Sequence, residues 1–262
     1  MTVSGRPLAD LSKCRILLSN DDGIAAEGLV VLERIARRLS DDVWVVAPSM
    51  EQSGAGHSLT LHQPLRPLMV GERRYTVSGT PTDCVMVAVN HLLNDRKPDL
   101  MLSGINMGAN LGEDVHYSGT VAAALEATLL GVPAIALSQV YDDASRIPWA
   151  TAEHHVPDLI RRLCTAGWPA EVMLNVNIPN RQPDEVVDAV AASQGKHKLG
   201  DDLILRQDPR GRPYIWIGAR RSADAALSGT DLKAVDEGHI AVTPLNVDLT
   251  HGPTLAKLRD VL

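Results

Sequence analysis

Arg15-Ile16-Leu17-Leu18-Ser19-Asn20-Asp21-Asp22-Gly23 is the stretch whose reading decides the fold of this 262-residue chain. Its apolar run is short, continuous and bounded by a turn signal, which predicts a buried strand. The strand runs into two adjacent carboxylates and a glycine, which predicts a loop at its carboxyl end. In an open α/β sheet, ligands bind at that end. Neighbouring Asp side chains there repel each other unless a cation sits between them. Asn-Asp-Gly is also good Asx-turn chemistry. By itself the stretch leaves a metal site and a plain turn both open.

The flanking sequence extends the pattern. Ala25 to Leu39 carries Leu29, Leu32, Ile35, Ala36 and Leu39 at helical spacing, with Arg34, Arg37 and Arg38 largely on the other face. That is an amphipathic helix. Val43 to Ala47 reads as a strand ended by Pro48, which completes a βαβ unit and calls for a parallel sheet. A polar loop, Ser49 to Ser58, follows, then short strands between Leu59 and Val77 broken by Pro64 and Pro67. Thr80-Pro81-Thr82-Asp83 is a helix start, with Thr as N-cap, Pro in the first turn and an acid at the third position. This helix is expected to reach about Leu93. Asp99 to Ser103 is the next strand, Gly104 to Tyr117 a loop, Val121 to Leu130 a helix opened by Ser118-Gly119-Thr120, and Pro133 to Ser138 a strand. Alternating strands and helices predict an α/β fold with a Rossmann-like, doubly wound, mostly parallel sheet in three layers, α/β/α.

The pattern changes afterwards. Ala150 to Ala166 reads as a helix that Pro157 starts or kinks. Val172 to Ile178 and Val186 to Ala192 read as strands, and Asp201 to Gly218 as a hairpin around Asp208-Pro209-Arg210-Gly211. A polar stretch, Thr230 to Gly238, a strand, Ile240 to Pro244, and a helix, Pro253 to Leu262, complete the chain. The expected organisation is a catalytic core over 1–195, a hairpin and oligomerisation element over 196–238, and a return strand with terminal helix over 239–262.

Composition narrows the function classes. The chain is 45% hydrophobic and 22% charged, as in an ordinary globular protein, and its net charge of −7 offers no footprint for a nucleic-acid polymer or an anionic membrane. There is no Phe, so aromatic base-stacking platforms are scarce. Cys14, Cys84 and Cys164 are far apart and form no CxxC pair, which points to reduced thiols in the cytoplasm and away from a disulfide framework or a zinc site. Met1 to Lys13 has no apolar signal-peptide region, and no apolar run reaches the length of a membrane span.

Three loops follow the carboxyl ends of three strands and share one sheet edge. The first offers Asp21 and Asp22. The second, Glu51 to Ser58, offers hydroxyls, two glycines and His57; the third, Ser103 to Gly112, offers Asn106 and Asn110 among glycines. Oxygen donors of this kind suit Mg²⁺ or Mn²⁺ better than Zn²⁺. Ser118-Gly119-Thr120 opens a helix, where free N–H groups favour anions. Taken singly, Ser118 also reads as a plain N-cap, and His57 and His116 as surface or packing residues. A cation site beside an anion site suggests phosphate-ester chemistry. No Walker loop is present and no GxGxxG follows the first strand, which argues against ATP hydrolysis and dinucleotide binding.

Five motifs resemble the SurE family of stationary-phase survival proteins, which are metal-dependent 5′/3′-nucleotidases. They are Asn20-Asp21-Asp22-Gly23, Ala47-Pro48 with Ser53 and Gly56-His57-Ser58, Gly79 to Cys84, Ser103 to Gly112, and Tyr117-Ser118-Gly119-Thr120. The resemblance runs in order over about residues 14 to 245. It implies one Mg²⁺ or Mn²⁺ per subunit held by Asp21, Asp22, Ser53 and Asn106. It further implies a phosphate pocket of Asn110, Ser118, Gly119 and Thr120 with His57 and Ser58 as neighbours, nucleoside monophosphates as substrates, and a cytoplasmic homodimer or homotetramer. Asp21 and Asp22 are then the catalytic pair, with Asp21 either a ligand only or the nucleophile of an aspartyl-phosphate route. The sequence departs from the family pattern at Ala192 to Lys198, where many relatives carry Thr-Arg and further arginines. Broad acid phosphatase or exopolyphosphatase activity and a non-catalytic nucleotide sensor are the other readings of the same site.

Overall fold

The opening stretch forms β1 (Arg15–Ser19), and its side chains divide between two cores. Successive side chains of a strand point to opposite faces. Ile16 and Leu18 join one cluster with α1 (Glu27–Arg37) and α4 (Trp149–Ala166); Leu17 joins the other with α2 (Pro81–Val87) and α3 (Gly119–Leu129). The sheet is therefore covered on both faces, which is why β1 reads as a continuous apolar run rather than an alternating one. The computed structural model describes residues 7–199, 203–217, 221–222 and 227–262.

Among the described residues nine strands form the main sheet, in the order β3 (Pro67–Gly71), β4 (Arg74–Val77), β2 (Asp42–Pro48), β1, β5 (Leu100–Met107), β6 (Ala134–Gln139), β7 (Val172–Ile178), β13 (Ile240–Asn246) and β8 (Ala189–Ala191). From β4 to β7 every neighbouring pair is parallel. β3 runs antiparallel to β4, and β13 antiparallel to β7. The chain builds outward from β1 through β2 and β4, then returns to β5 and builds the other way through β6 and β7. The reversal lies between β1 and β5, and it opens a crevice beyond their carboxyl ends. Both the Asp pair and the loop after β5 leave the sheet there.

Several elements differ from the sequence expectation. β5 runs on to Met107 instead of stopping at Ser103. Gly and Asn are poor strand formers, so the pattern reads as a loop. The ladder continues through a bulge: Ser103 pairs with Ala136 but Asn106 with Ser138, and Gly104 adopts φ +129 where a Cβ would lie 2.3 Å from the Leu137 carbonyl oxygen. Pro157 lies inside α4 and does not start it. A proline removes the N–H that would serve the carbonyl four residues back; that carbonyl, Glu153 O, accepts instead from Arg38 Nη1 at 2.8 Å. α2 begins with the expected capping box, Thr80 with Asp83, but gives way to a π turn over Ala88–Leu92.

The expected hairpin forms from β10 (Leu203–Gln207) and β11 (Pro213–Ile217), paired antiparallel with Leu205 opposite Ile215. Asp208 Oδ1 accepts from the Arg210 and Arg212 N–H groups, and Gly211 takes φ +76 to close the turn. Residues 201, 202 and 218 of that expected hairpin lie outside the described residues. A two-residue pair, β9 (Lys198–Leu199) with β12 (Arg221–Ser222), is also present. The polar stretch after it contains α5 (Asp231–Asp236), capped by Thr230, and the chain ends with α6 (Gly252–Arg259).

Leu18 has no exposed surface and lies between two parallel neighbours. Leu18→Ala is expected to lower unfolding free energy by about 2–5 kcal/mol. Urea denaturation followed by circular dichroism measures it; a loss well below that range would mean the core closes around the gap.

Candidate functional site

The turn after β1 is real and is also acidic. Asn20 Nδ2 donates to the Gly23 carbonyl at 3.0 Å, and Gly23 takes φ +97. The turn directs Asp21 inward, where it is 4% exposed and accepts a hydrogen bond from the Thr120 hydroxyl. Gly119 begins α3 so close to this carboxylate that a Cβ would sit 2.7 Å from Asp21 Cβ. Glycine is what lets the helix N-terminus reach the acid. Burial raises the Asp21 pKa, while the Thr120 hydroxyl and the backbone N–H groups of Thr120 and Gly119 pull the other way. Asp22 is pushed up to about 6, first by burial and then by the charge of Asp21; the Met107 N–H, 3.3 Å from Oδ2, opposes this.

The second loop is tied to the other two. Gln52 N–H donates to Asp21 O at 2.8 Å, and Gly56 N–H to Tyr117 O at 3.1 Å. Ser53 Oγ donates to Glu51 Oε1 at 2.9 Å. Asn106, carried past the β5 bulge, donates through Nδ2 to Gly108 O at 2.9 Å. Asp21, Ser53, Asn106, Asn110 and Ser118 line one cleft of about 290 Å³, together with Asp114 and two of the chain's four tyrosines, Tyr117 and Tyr141.

The remaining residues singled out in the sequence lie elsewhere. Asp22 adjoins the cleft beside Met107. Gly119 and Thr120 are buried behind Asp21, so of the Ser118–Thr120 step only Ser118 lines the cleft. Ser118 also caps α3, accepting from Val121 N–H at 3.1 Å. His57 and Ser58 are not among the lining residues. His57 Nε2 pairs with Glu126 at 2.9 Å, and the Ser58 carbonyl accepts from the Thr80 hydroxyl at 2.8 Å.

Sequence reasoning missed the supports of Asn110. Its side-chain amide donates to Ser138 Oγ at 2.8 Å, its N–H to Asn177 Oδ1 at 2.8 Å, and its carbonyl accepts from Asn175 and Asn177 at 2.8 and 3.0 Å. The available signal was two asparagines at i and i+2 within the otherwise apolar strand Val172–Ile178. Buried amides in a central strand need partners.

Among the described residues no group of three or more His, Cys, Asp or Glu side chains is arranged to hold a metal ion. A cation here would take two carboxylates and complete its shell with hydroxyl and amide oxygens and water, a donor set for a hard cation. No helix among the described residues is long and apolar enough to cross a membrane.

Comparison with known proteins gives the same outline. A family model described as Survival protein SurE matches residues 16–201. The chain belongs to the SurE family. Within it, the chain is 60% identical over 255 residues to a protein named 5′-nucleotidase SurE from Rhodospirillum rubrum, covering 96% of this chain and 97% of the relative. It is 59% identical over 245 residues to that of Paramagnetospirillum magneticum, with 94% of each chain covered. The crystal structure of the SurE protein from Aquifex aeolicus superposes with a TM-score of 0.83 at 39% identity, over 94% of this chain and 98% of that one.

The Asp22 carboxyl keeps its proton to about pH 6 in the folded state but only into the ordinary carboxylate range when unfolded. Between those values the folded state binds more protons, so the stability owed to Asp22 falls as pH rises through that window. Asp22→Asn is therefore expected to raise Tm at pH 7 in chelator-containing buffer and to flatten the fall from about pH 4 to pH 6. An unchanged Tm in a thermal melt would contradict the assigned shift.

Proposed function

We propose that this chain is a metal-dependent phosphomonoesterase that hydrolyses nucleoside 5′-monophosphates, and 3′-monophosphates, to nucleoside and phosphate. The observation that carries the reading is the Asp21 carboxylate. It is fixed between the end of β1 and the start of α3, with Asp22 beside it and Ser53 and Asn106 on the same cleft. The names of the two bacterial relatives, 5′-nucleotidase SurE, support the substrate class.

The residues present fit a hard divalent cation. Two carboxylates with raised pKa values are relieved by a positive charge between them, and Ser53 and Asn106 add neutral oxygens. Asp21, Asp22, Ser53 and Asn106 would hold one Mg²⁺ or Mn²⁺ per subunit. When bound, such a cation supplies Lewis-acid polarisation of the phosphoryl group and lowers the pKa of water. The chain's own groups do the rest. Ser118 and Asn110, which line the cleft, would meet the phosphate and fix its orientation, and the start of α3 favours negative charge there. Thr120 and Gly119 hold Asp21 in place. His57, paired with Glu126, and Ser58 are neighbours of the phosphate pocket in this reading.

The immobilisation of Asp21 supports a ligand role over attack on phosphorus. A nucleophile must approach in line, whereas this carboxylate is 4% exposed and bound by Thr120. For assembly, we infer that residues 196–238 are an oligomerisation element of a cytoplasmic homodimer or homotetramer. Leu203, Leu205, Ile215, Trp216 and Ile217 of the hairpin are all exposed, an apolar surface of the kind that marks an interface.

Purified protein with Mn²⁺ is expected to release phosphate from adenosine or guanosine monophosphate, and Asp21→Asn to lose about 10²–10³-fold or more of that rate. Wild-type protein that binds the nucleotide but releases nothing with Mg²⁺ or Mn²⁺ would make it a sensor instead. A phospho-enzyme trapped by acid quench and detected by mass would restore the aspartyl-phosphate route.

A further inference from the structure

We propose that Asp231 and His197 are positioning residues for the phosphate-facing wall of the cleft, an inference that rests on the phosphomonoesterase reading. Asp231 opens α5 and has no exposed surface. Its Oδ2 accepts from Gly112 N–H at 2.9 Å; its Oδ1 accepts from Gly195 N–H and from Leu232 N–H, both at 2.8 Å. Gly112 is 119 positions away in the chain. Capping of α5 does not require this carboxylate, because Thr230 already accepts from Lys233 N–H. Burying a charge is costly unless it is well bonded, and here both oxygens reach out of the helix to other segments.

Those segments lead into the site. Gly112 takes φ +53, and its carbonyl accepts from Gln194 Nε2 at 3.0 Å, so both faces of this residue are held. It begins a short 3-10 turn, Gly112–His116. Glu113 Oε2 accepts from His197 N–H at 2.5 Å, and His197 Nε2 lies 3.1 Å from Asp114 Oδ2, with both side chains buried. Asp114 lines the cleft, and its carbonyl accepts from Tyr117 N–H at 3.0 Å and Ser118 N–H at 3.1 Å. Ser118 then caps α3, whose Thr120 holds Asp21. Asp231 and His197 thus set the turn that sets Ser118, without touching substrate themselves.

Part of the cation half of the cleft has supports of its own. Asp22 and Asn106 are carried by the loop after β1 and the β5 bulge, which the Asp231 carboxylate, bonded to Gly112, Gly195 and Leu232, does not touch; Asp21, through Thr120, and the Ser53 loop, through the Gly56–Tyr117 bond, meet the same wall. Loosening the 3-10 turn should weaken phosphate binding more than cation binding.

The test compares Asp231→Asn and His197→Ala with Thr230→Ala, which weakens the α5 cap but leaves Gly112 alone. The readouts are KM for adenosine monophosphate, Ki for inorganic phosphate, the Mn²⁺ concentration for half-maximal activity, and Tm. In Asp231→Asn, KM and Ki are expected to rise together by about 10- to 100-fold, the scale of a misplaced binding group. The Mn²⁺ concentration for half-maximal activity is expected to rise by a smaller factor than either. His197→Ala moves the same two constants in the same direction. Thr230→Ala lowers Tm and moves neither. Unchanged KM and Ki in folded Asp231→Asn, or an equal rise in Thr230→Ala, would overturn the proposal. Should Asp231→Asn fail to fold, Gln194→Ala removes the bond on the other face of Gly112 and carries the same comparison. A wild type that releases no phosphate defeats the parent reading alone; calorimetric binding of inorganic phosphate with Mn²⁺ then tests the positioning by itself.

Discussion

The structure depends on one contact, the Asp21 carboxylate against the start of α3. It joins the end of β1 to a helix 99 positions further along the chain, on the side of the sheet opposite α1. Everything at the cleft is referenced to it. The second loop hangs from the Asp21 carbonyl through Gln52, and Ser118 is the residue immediately before the glycine that allows the approach. A helix N-terminus is a natural anion site. Here its first anion belongs to the protein, and a substrate phosphate would be the second.

That arrangement sets the electrostatics. Burial outweighs the hydrogen bonds that Asp21 receives, and Asp22 feels both burial and its neighbour. Two such carboxylates favour a proton or a cation over standing ionised alone. Their surroundings offer hydroxyl and amide oxygens from Ser53, Asn106 and Ser118, with no thiol or imidazole among the described cleft-lining residues, which matches a hard ion. Strongly shifted groups at a cleft are a general mark of functional sites, and among the described carboxylates the two shifted upward are the two that the opening stretch brings together.

The order of strands and helices up to β6 was legible because its signals are local: apolar runs, the Thr80–Asp83 capping box, and the helix opening at Ser118. So was the convergence of three loops, since it follows from parallel strands sharing one edge. What escaped the sequence depends on distant partners. Pro157 could stay in α4 because Arg38, from another helix, serves the carbonyl it frees. Asn175 and Asn177 meet Asn110 across 65 and 67 positions. The partner of His57, Glu126 on α3, lies 69 positions away. Loop composition shows which groups are nearby; only the fold decides which way each one turns.

The bulge in β5 carries a consequence of its own. Paired residues of neighbouring strands face the same side, so Ser103 and Asn106 share a side although they lie an odd number of residues apart. With a regular ladder, Ile105 would stand opposite Ser138 and present an apolar side chain where the amide now is. Asn106 would turn to the other face of the sheet, with the sequence unaltered. The cleft's amide is thus encoded in the phase of a strand as much as in its letters, and one glycine able to hold φ +129 keeps that phase.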